Sequence, residues 1–320
     1  FDKWARRLPG GLGIATIAAC AAFGAVRGIS AAAAAAMGNV ALPEMRRFGY
    51  DPKLGCGVIA AGGTLSFLIP PSLGFVVYGM LTEQSIGKLL ISGILPGAVM
   101  AGAFIACVIV LVAINPKLAP RGTEKVTFRD KLIALKGVWE VLLVFCIVMG
   151  GIYLGFINPT EAGAIGATAL FIIVIIKKKL TKQNMFAALL EMARISIMVL
   201  FLVAGATLFS YFLALSTIPT AVSTWIAGLG VSKYIILVII VAIYFLLGCF
   251  LDSVSMMVLT LPVIFPVIVA IGFDPIWFGV LLVLMMEAGL ITPPVGLNIY
   301  TIAGIAPDVP MGTIFRGAMP

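Results

Sequence analysis

The sequence contains no histidine among its 320 residues, and only 11% of the residues are charged. Its five cysteines stand singly, at Cys20, Cys56, Cys107, Cys146 and Cys249. Zinc and haem sites need clustered Cys and His ligands, so the sequence excludes a transition-metal centre of that kind and predicts no organic cofactor. The isolated cysteines are instead typical of small apolar side chains inside helices.

What the sequence has in abundance is apolar residues: 62% are hydrophobic, and the mean hydropathy is +1.19. Such a chain cannot cover a water-facing surface, which predicts an all-α polytopic protein in a lipid bilayer. The formal charge of +8 does not indicate nucleic acid, because the basic residues cluster between apolar segments. That distribution follows the positive-inside rule of membrane proteins.

Residues 30–71 are followed by a related segment 223 positions later. The matched pairs are Ser30 and Ser253, Pro43 and Pro266, Gly49 and Gly272, Asp51 and Asp274, Pro52 and Pro275, Pro70 and Pro293, and Pro71 and Pro294. In each copy a Pro-Pro pair interrupts a strongly apolar stretch. Discontinuous helices in two related halves are typical of secondary transporters, so we interpret the chain as a transporter.

Two pairs of apolar stretches are joined by turns too short for an ordinary loop. We predict re-entrant helical hairpins over 8–47 and 234–271, each followed by a Pro-Pro-broken helix, over 54–80 and 275–305. The predicted domains are a first transport repeat (1–81), scaffold helices with a basic loop 115–136 and a connecting arm (82–230), and a second transport repeat (231–306). Residues 307–320 would begin a truncated scaffold segment, because the same offset maps the apolar stretch 89–114 beyond residue 320. The chain also starts without Met and looks like part of a longer protein.

The distribution of Lys and Arg predicts opposite orientations for the two halves. Basic residues flank both ends of the first hairpin and fill the loop 115–136, which places these regions in the cytoplasm. Beyond residue 213 the basic residues are Lys233 and Arg316, so the second hairpin should open to the other side. The two hairpin tips would then point at each other in an inverted repeat.

The first broken helix predicts a cation site. Pro70 and Pro71 lack the N–H groups that would bond to the carbonyls of Ser66 and Phe67, and hydroxyl groups lie beside these carbonyls. Such an oxygen cluster suits sodium, and a plain proline kink is the alternative. The residues assigned to sodium site 1 are Ser30, Asn39, Gly62, Thr64, Ser66 and Phe67.

The second broken helix repeats the pattern, with the carbonyls of Gly289 and Leu290 freed by Pro293 and Pro294. Asp252, at the tip of the second hairpin, adds a negative charge, and a carboxylate within an apolar segment is a functional candidate. The residues assigned to sodium site 2 are Asp252, Ser253, Ser255, Gly289, Leu290 and Thr292. Glu287 is a weaker candidate, because a structural contact near the break would also explain it.

A substrate site is predicted between the hairpin tips. Arg27 either attracts an anionic substrate or compensates the negative charge of Asp252 or of a helix end. Asn298 either forms a hydrogen bond to the substrate or caps the chain locally. The residues assigned to substrate binding are Arg27, Ser30, Ser72 and Asn298. Sodium is the only metal expected.

Ordered motifs along the whole chain resemble the large membrane subunit of tripartite ATP-independent periplasmic (TRAP) transporters. They are 7-RLPGGL-12, 43-PEM-45, 49-GYD-51, 61-AGGTL-65, 69-IPPS-72, 93-GILPG-97, 158-NPTEA-162 and 292-TPPVGLN-298. The resemblance implies a sodium-coupled, elevator-type importer in the bacterial inner membrane. It also implies a small membrane subunit, separate or fused before residue 1, and a periplasmic binding protein that delivers an organic acid such as a C4-dicarboxylate or sialic acid.

Two alternatives to this interpretation remain. One is a dicarboxylate/sodium symporter that needs no binding protein. The other, from a different class, is an intramembrane aspartyl protease with Asp252 as one of two catalytic carboxylates. The main hypothesis is a transporter and not an enzyme.

Overall fold

The computed structural model describes residues 9–120, 139–228 and 230–320, and within these ranges the regular structure is helical, with no β-strand. Most of the predicted loop 115–136, and residues 1–8 at the start of the first predicted hairpin and domain, lie outside the described residues. The loop is described only to residue 120, with one turn of 3₁₀-helix at Pro116–Leu118.

The described α-helices, in chain order, are α1 Gly11–Arg27, α2 Ser30–Arg47, α3 Pro52–Leu68, α4 Leu73–Thr82, α5 Ile86–Ile114, α6 Trp139–Tyr153, α7 Pro159–Ile176, α8 Lys182–Ser216, α9 Ile218–Gly228, α10 Lys233–Gly248, α11 Ser253–Ala270, α12 Pro275–Gly289, α13 Leu297–Ile305 and α14 Met311–Ala318. Four of them, α5, α7, α8 and α11, are long and apolar enough to cross a membrane. Helices α3 and α4, bent by 41° at the break between them, are apolar enough together to form either a broken span or a re-entrant loop. The chain is therefore a multi-pass membrane protein.

Local residue chemistry explains several helix ends. Asp51 and Asp274 accept hydrogen bonds from the backbone N–H groups of Lys53 and Trp277, and a proline follows each aspartate at the first helical position. Gly49 and Gly272 adopt φ angles of 72° and 80° just before these caps, a conformation that favours glycine. These matched caps start α12 223 positions after α3, and α11 likewise starts and ends 223 positions after α2.

Among the described residues, two hydrophobic clusters each contain a helix that follows the break in the other cluster's broken helix. Helix α4 follows the first break but places Phe75, Val77 and Tyr78 in the cluster built around α10, α11 and α12. Helix α13 follows the second break but places Ile299 and Ile302 in the cluster built around α1, α2 and α3. Each broken helix therefore joins both clusters.

Candidate functional site

The first hairpin turns within two residues and lies on the first break, Ile69–Ser72. Gly28, with φ 61°, donates its N–H to the carbonyl of Gly24 at 2.9 Å and ends α1. A Cβ atom at Gly28 would lie 3.0 Å from the Pro71 carbonyl oxygen and the Leu73 nitrogen. We call residues 28–30 the first tip.

The second hairpin turns over residues 249–253, the second tip, and it lies on the second break, 290–296. The N–H of Gly296 bonds to the carbonyl of Cys249 at 3.3 Å. Asp252 caps α11 by accepting hydrogen bonds from the N–H groups of Val254 at 3.1 Å and Ser255 at 3.0 Å. Each tip is thus packed against the break of its own half.

The two tips meet at the carboxylate of Glu287, which is completely buried in α12. Ser30 at the first tip donates a hydrogen bond to Oε2 of Glu287. Ser253 at the second tip donates to Oε1 at 3.2 Å. We call these three side chains the Glu287 bridge. Glu287 is not among the residues assigned to a site from the sequence, where its signal was a lone carboxylate inside an apolar helix.

The hydroxyl groups assigned to sodium site 1 lie close to the first break. Thr64 and Ser66 are fully buried, and their hydroxyls donate to the carbonyls of Ala61 at 2.6 Å and Cys20 at 3.2 Å. The Ser72 hydroxyl donates to the carbonyl of Phe67. Gly62 is buried, and a Cβ atom there would lie 2.9 Å from the Cys20 sulfur, so it allows α3 to approach α1.

At the second break the carbonyls have hydrogen-bond partners, contrary to the expectation that the prolines would leave them bare. The Gly289 carbonyl accepts from the N–H of Thr292 at 3.0 Å, and the Leu290 carbonyl accepts from the N–H of Asn298 at 3.1 Å. Thr292 lies within the break itself, and the chain turn at the end of the break brings Asn298 back to Leu290. The same correction applies to Phe67, whose carbonyl is paired with Ser72. A carbonyl oxygen has a second lone pair, so each can still bind a cation.

Of the remaining predicted site residues, Asn39 lies away from the tips, whereas Asp252 belongs to the second tip. Asn39 is exposed, bonds to the Ala35 carbonyl of its own helix at 3.1 Å, and lies about 13 Å along α2 from Ser30. Asp252 is also exposed. The side chain of Arg27 lies outside the described residues.

Asn298 and Thr292 are both held by nearby backbone. Asn298 is fully buried and donates to the Ala60 carbonyl of α3 at 3.3 Å, while its Oδ1 atom has no hydrogen-bond partner. Thr292 donates to the Ala288 carbonyl at 2.7 Å. An unpaired buried oxygen such as Oδ1 is suited to accept a hydrogen bond or to bind a cation.

Comparison with known proteins decides the family. The model of the tripartite ATP-independent periplasmic transporter, DctM component, matches residues 4–320. This chain belongs to the DctM family. The family match confirms the resemblance seen in the motifs.

Among relatives of this DctM chain is the C4-dicarboxylate TRAP transporter large permease protein DctM of Pseudomonas aeruginosa, 37% identical over 97% of this chain and 72% of that protein. The sialic acid TRAP transporter large permease protein SiaM of Vibrio cholerae is 30% identical over 98% of this chain and 73% of that protein. The isethionate TRAP transporter permease protein DctMQ of Oleidesulfovibrio alaskensis is 34% identical over 95% of this chain and 48% of that protein. All three relatives are named as transport permeases, and none is named as an enzyme.

Proposed function

We propose that this chain is the large membrane subunit of a sodium-coupled importer of a small organic acid in the bacterial inner membrane. Its partners would be a small membrane subunit, separate or fused, and a periplasmic protein that delivers the acid. The observation that carries the proposal is the meeting of both hairpin tips at Glu287, each tip packed on an oxygen-rich break. Family membership supports the TRAP type of transport over other classes.

The two sodium sites are proposed at the two tip-and-break pairs. Site 1 would use the hydroxyls of Ser30, Thr64 and Ser66 with nearby carbonyls. Site 2 would use Ser253, Thr292 and the carbonyls of Gly289 and Leu290, with Asp252 adding a negative charge. Each set combines hydroxyl and carbonyl oxygens, and oxygen atoms are the ligands that hard cations prefer.

The acid is proposed to bind between the tips, near Ser30, Ser72 and Asn298, with Arg27 supplying positive charge. The names of the three relatives include C4-dicarboxylate, isethionate and sialic acid, all of which are anions, and this supports an anionic substrate. For the mechanism we propose an inverted-repeat elevator. Helices α1–α4 and α10–α13 would form the moving domain, and 82–230 would form the scaffold.

The test is uptake by proteoliposomes that contain this chain, its small subunit and its binding protein, with a panel of labelled acids. We expect uptake to need a sodium gradient, because no nucleotide-binding motif supplies another energy source. Equal uptake with choline in place of sodium on both sides would contradict the proposal. Uptake by vesicles that contain only this chain would favour the symporter that needs no binding protein. Peptide cleavage abolished by Asp252→Asn would favour the protease.

A further inference from the structure

The Glu287 bridge fixes where the hydrogen atoms of two hydroxyls go. A serine hydroxyl has one hydrogen to donate and two lone pairs that accept. The ionised carboxylate of Glu287 can only accept hydrogen bonds, so in that state Ser30 and Ser253 both give their hydrogen to it. Each serine oxygen then has only its lone pairs available to a further partner, and lone pairs can bind a cation.

We infer that Glu287 is a positioning residue shared by the two proposed sodium sites, which it links so that they fill cooperatively. The inference rests on the proposed function, since it concerns the same tips. Glu287 itself would not contact sodium. It would hold each serine with its lone pairs available, as outer groups orient the ligands of metal sites.

The cooperativity follows from burial. Each carboxylate oxygen has one serine donor, and the whole group is inaccessible to solvent. When one tip moves away, a buried carboxylate oxygen loses its donor, and leaving such an atom unpaired is costly. Sodium that fixes one tip therefore holds the carboxylate in the orientation that the other tip requires.

Glutamine is the informative substitution because it keeps the shape of the side chain. Its amide has one acceptor oxygen and one donor NH₂ group, so it can accept from only one of the two serines. The other serine must accept from the NH₂ group and has one lone pair fewer for sodium. We expect Glu287→Gln to raise the sodium concentration for half-maximal uptake by about 10- to 100-fold. The Hill coefficient for sodium should also fall to about one.

The experiment measures sodium-dependent uptake and sodium-induced thermal stabilisation in wild type, Glu287→Gln, Ser30→Ala and Ser253→Ala. Thr260→Val is the control, because it removes a hydroxyl from α11 that bonds to the Met256 carbonyl and to the Tyr244 hydroxyl, and not to Glu287. We expect the control to keep the wild-type sodium response. An unchanged Hill coefficient and sodium affinity in Glu287→Gln would overturn the inference.

A second readout separates this inference from the proposed function. A cysteine placed at Ile29, in a background without the native cysteines, reports the exposure of the first tip through its rate of thiol labelling. Replacing Ser253, on the other tip, should raise the labelling rate at residue 29, whereas Thr260→Val should not. This result would support coupling of the tips even if uptake proved independent of sodium. An unchanged rate after both Ser253→Ala and Glu287→Gln would reject the coupling.

Discussion

At the scale of single residues, Asp252 has a structural role that its sequence position did not reveal. Its carboxylate accepts hydrogen bonds from two N–H groups at the start of α11. These are donors that a helix cannot satisfy with its own carbonyls. The capping role and the proposed sodium role of Asp252 make different demands on the side chain, because asparagine caps a helix about as well as aspartate but has no charge.

We predict that Asp252→Ala lowers the free energy of unfolding by about 1 kcal/mol, the usual loss for a missing cap. Asp252→Asn should keep this stability but reduce the extra stabilisation that sodium gives, if the negative charge contributes to site 2. Thermal unfolding in detergent, with sodium exchanged for choline at constant ionic strength, measures both effects. Full sodium stabilisation of the asparagine variant would limit Asp252 to its capping role.

At the scale of helices, glycine permits the closest contacts. Gly57 of α3 faces the end of α14, where a Cβ atom would overlap the Gly317 carbonyl group and lie 2.8 Å from the Ala318 nitrogen. Backbone atoms cannot yield as a flexible side chain can. Small residues at helix crossings are a general means of close packing in membranes.

We predict that Gly57→Ala destabilises the protein by about 1 to 3 kcal/mol, the range for overpacking a well-filled interior. The control is Gly102→Ala in α5, where a Cβ atom would have no neighbour within 4 Å. That substitution should be neutral or stabilising, by up to about 1 kcal/mol, because alanine favours helix. Unfolding curves of both variants in the same detergent make the comparison. Equal stabilities would show that α14 does not constrain α3.

Helix positions could be predicted well from the sequence, because their causes are local. The Asp-Pro pairs, the preceding glycines and the Pro-Pro breaks set the ends of α2, α3, α11 and α12 within a few residues of expectation. Contacts at the breaks could not be predicted in the same way. The bond from Asn298 to the Leu290 carbonyl depends on how the chain turns after Pro294. The bond from Ser30 to Glu287 depends on packing between halves, which no local pattern encodes.

At the scale of the whole molecule, an ion pair joins the end of α2 to the segment that follows α13. Arg46, at the end of α2, contacts Asp308, which follows α13, at 2.8 Å. The hydrogen bond from Arg46 lowers the pKa of the Asp308 carboxyl group. A carboxyl group whose pKa is lower in the folded state stabilises that state above its unfolded pKa, and loses the effect as pH falls through its folded pKa.

We therefore predict that the difference in melting temperature between wild type and Asp308→Asn is constant above about pH 5 and shrinks below about pH 4, near the ordinary pKa of aspartate. The difference should be small, since both side chains are well exposed. Arg46→Gln should reproduce it, and the double variant should add nothing further. A difference that persists unchanged in acid would mean that the ion pair is not its cause.

The 257 residues that separate Ser30 from Glu287 in sequence have a consequence for how the protein is made. At ordinary rates of synthesis, of about 5 to 20 residues per second, the ribosome needs roughly 13 to 50 s to travel from one to the other. During that time the first hairpin is already synthesised, but the carboxylate that receives its tip does not yet exist. During biogenesis the polar turn at Ser30 must therefore stay hydrated or be shielded from lipid until α12, which carries Glu287, has been synthesised.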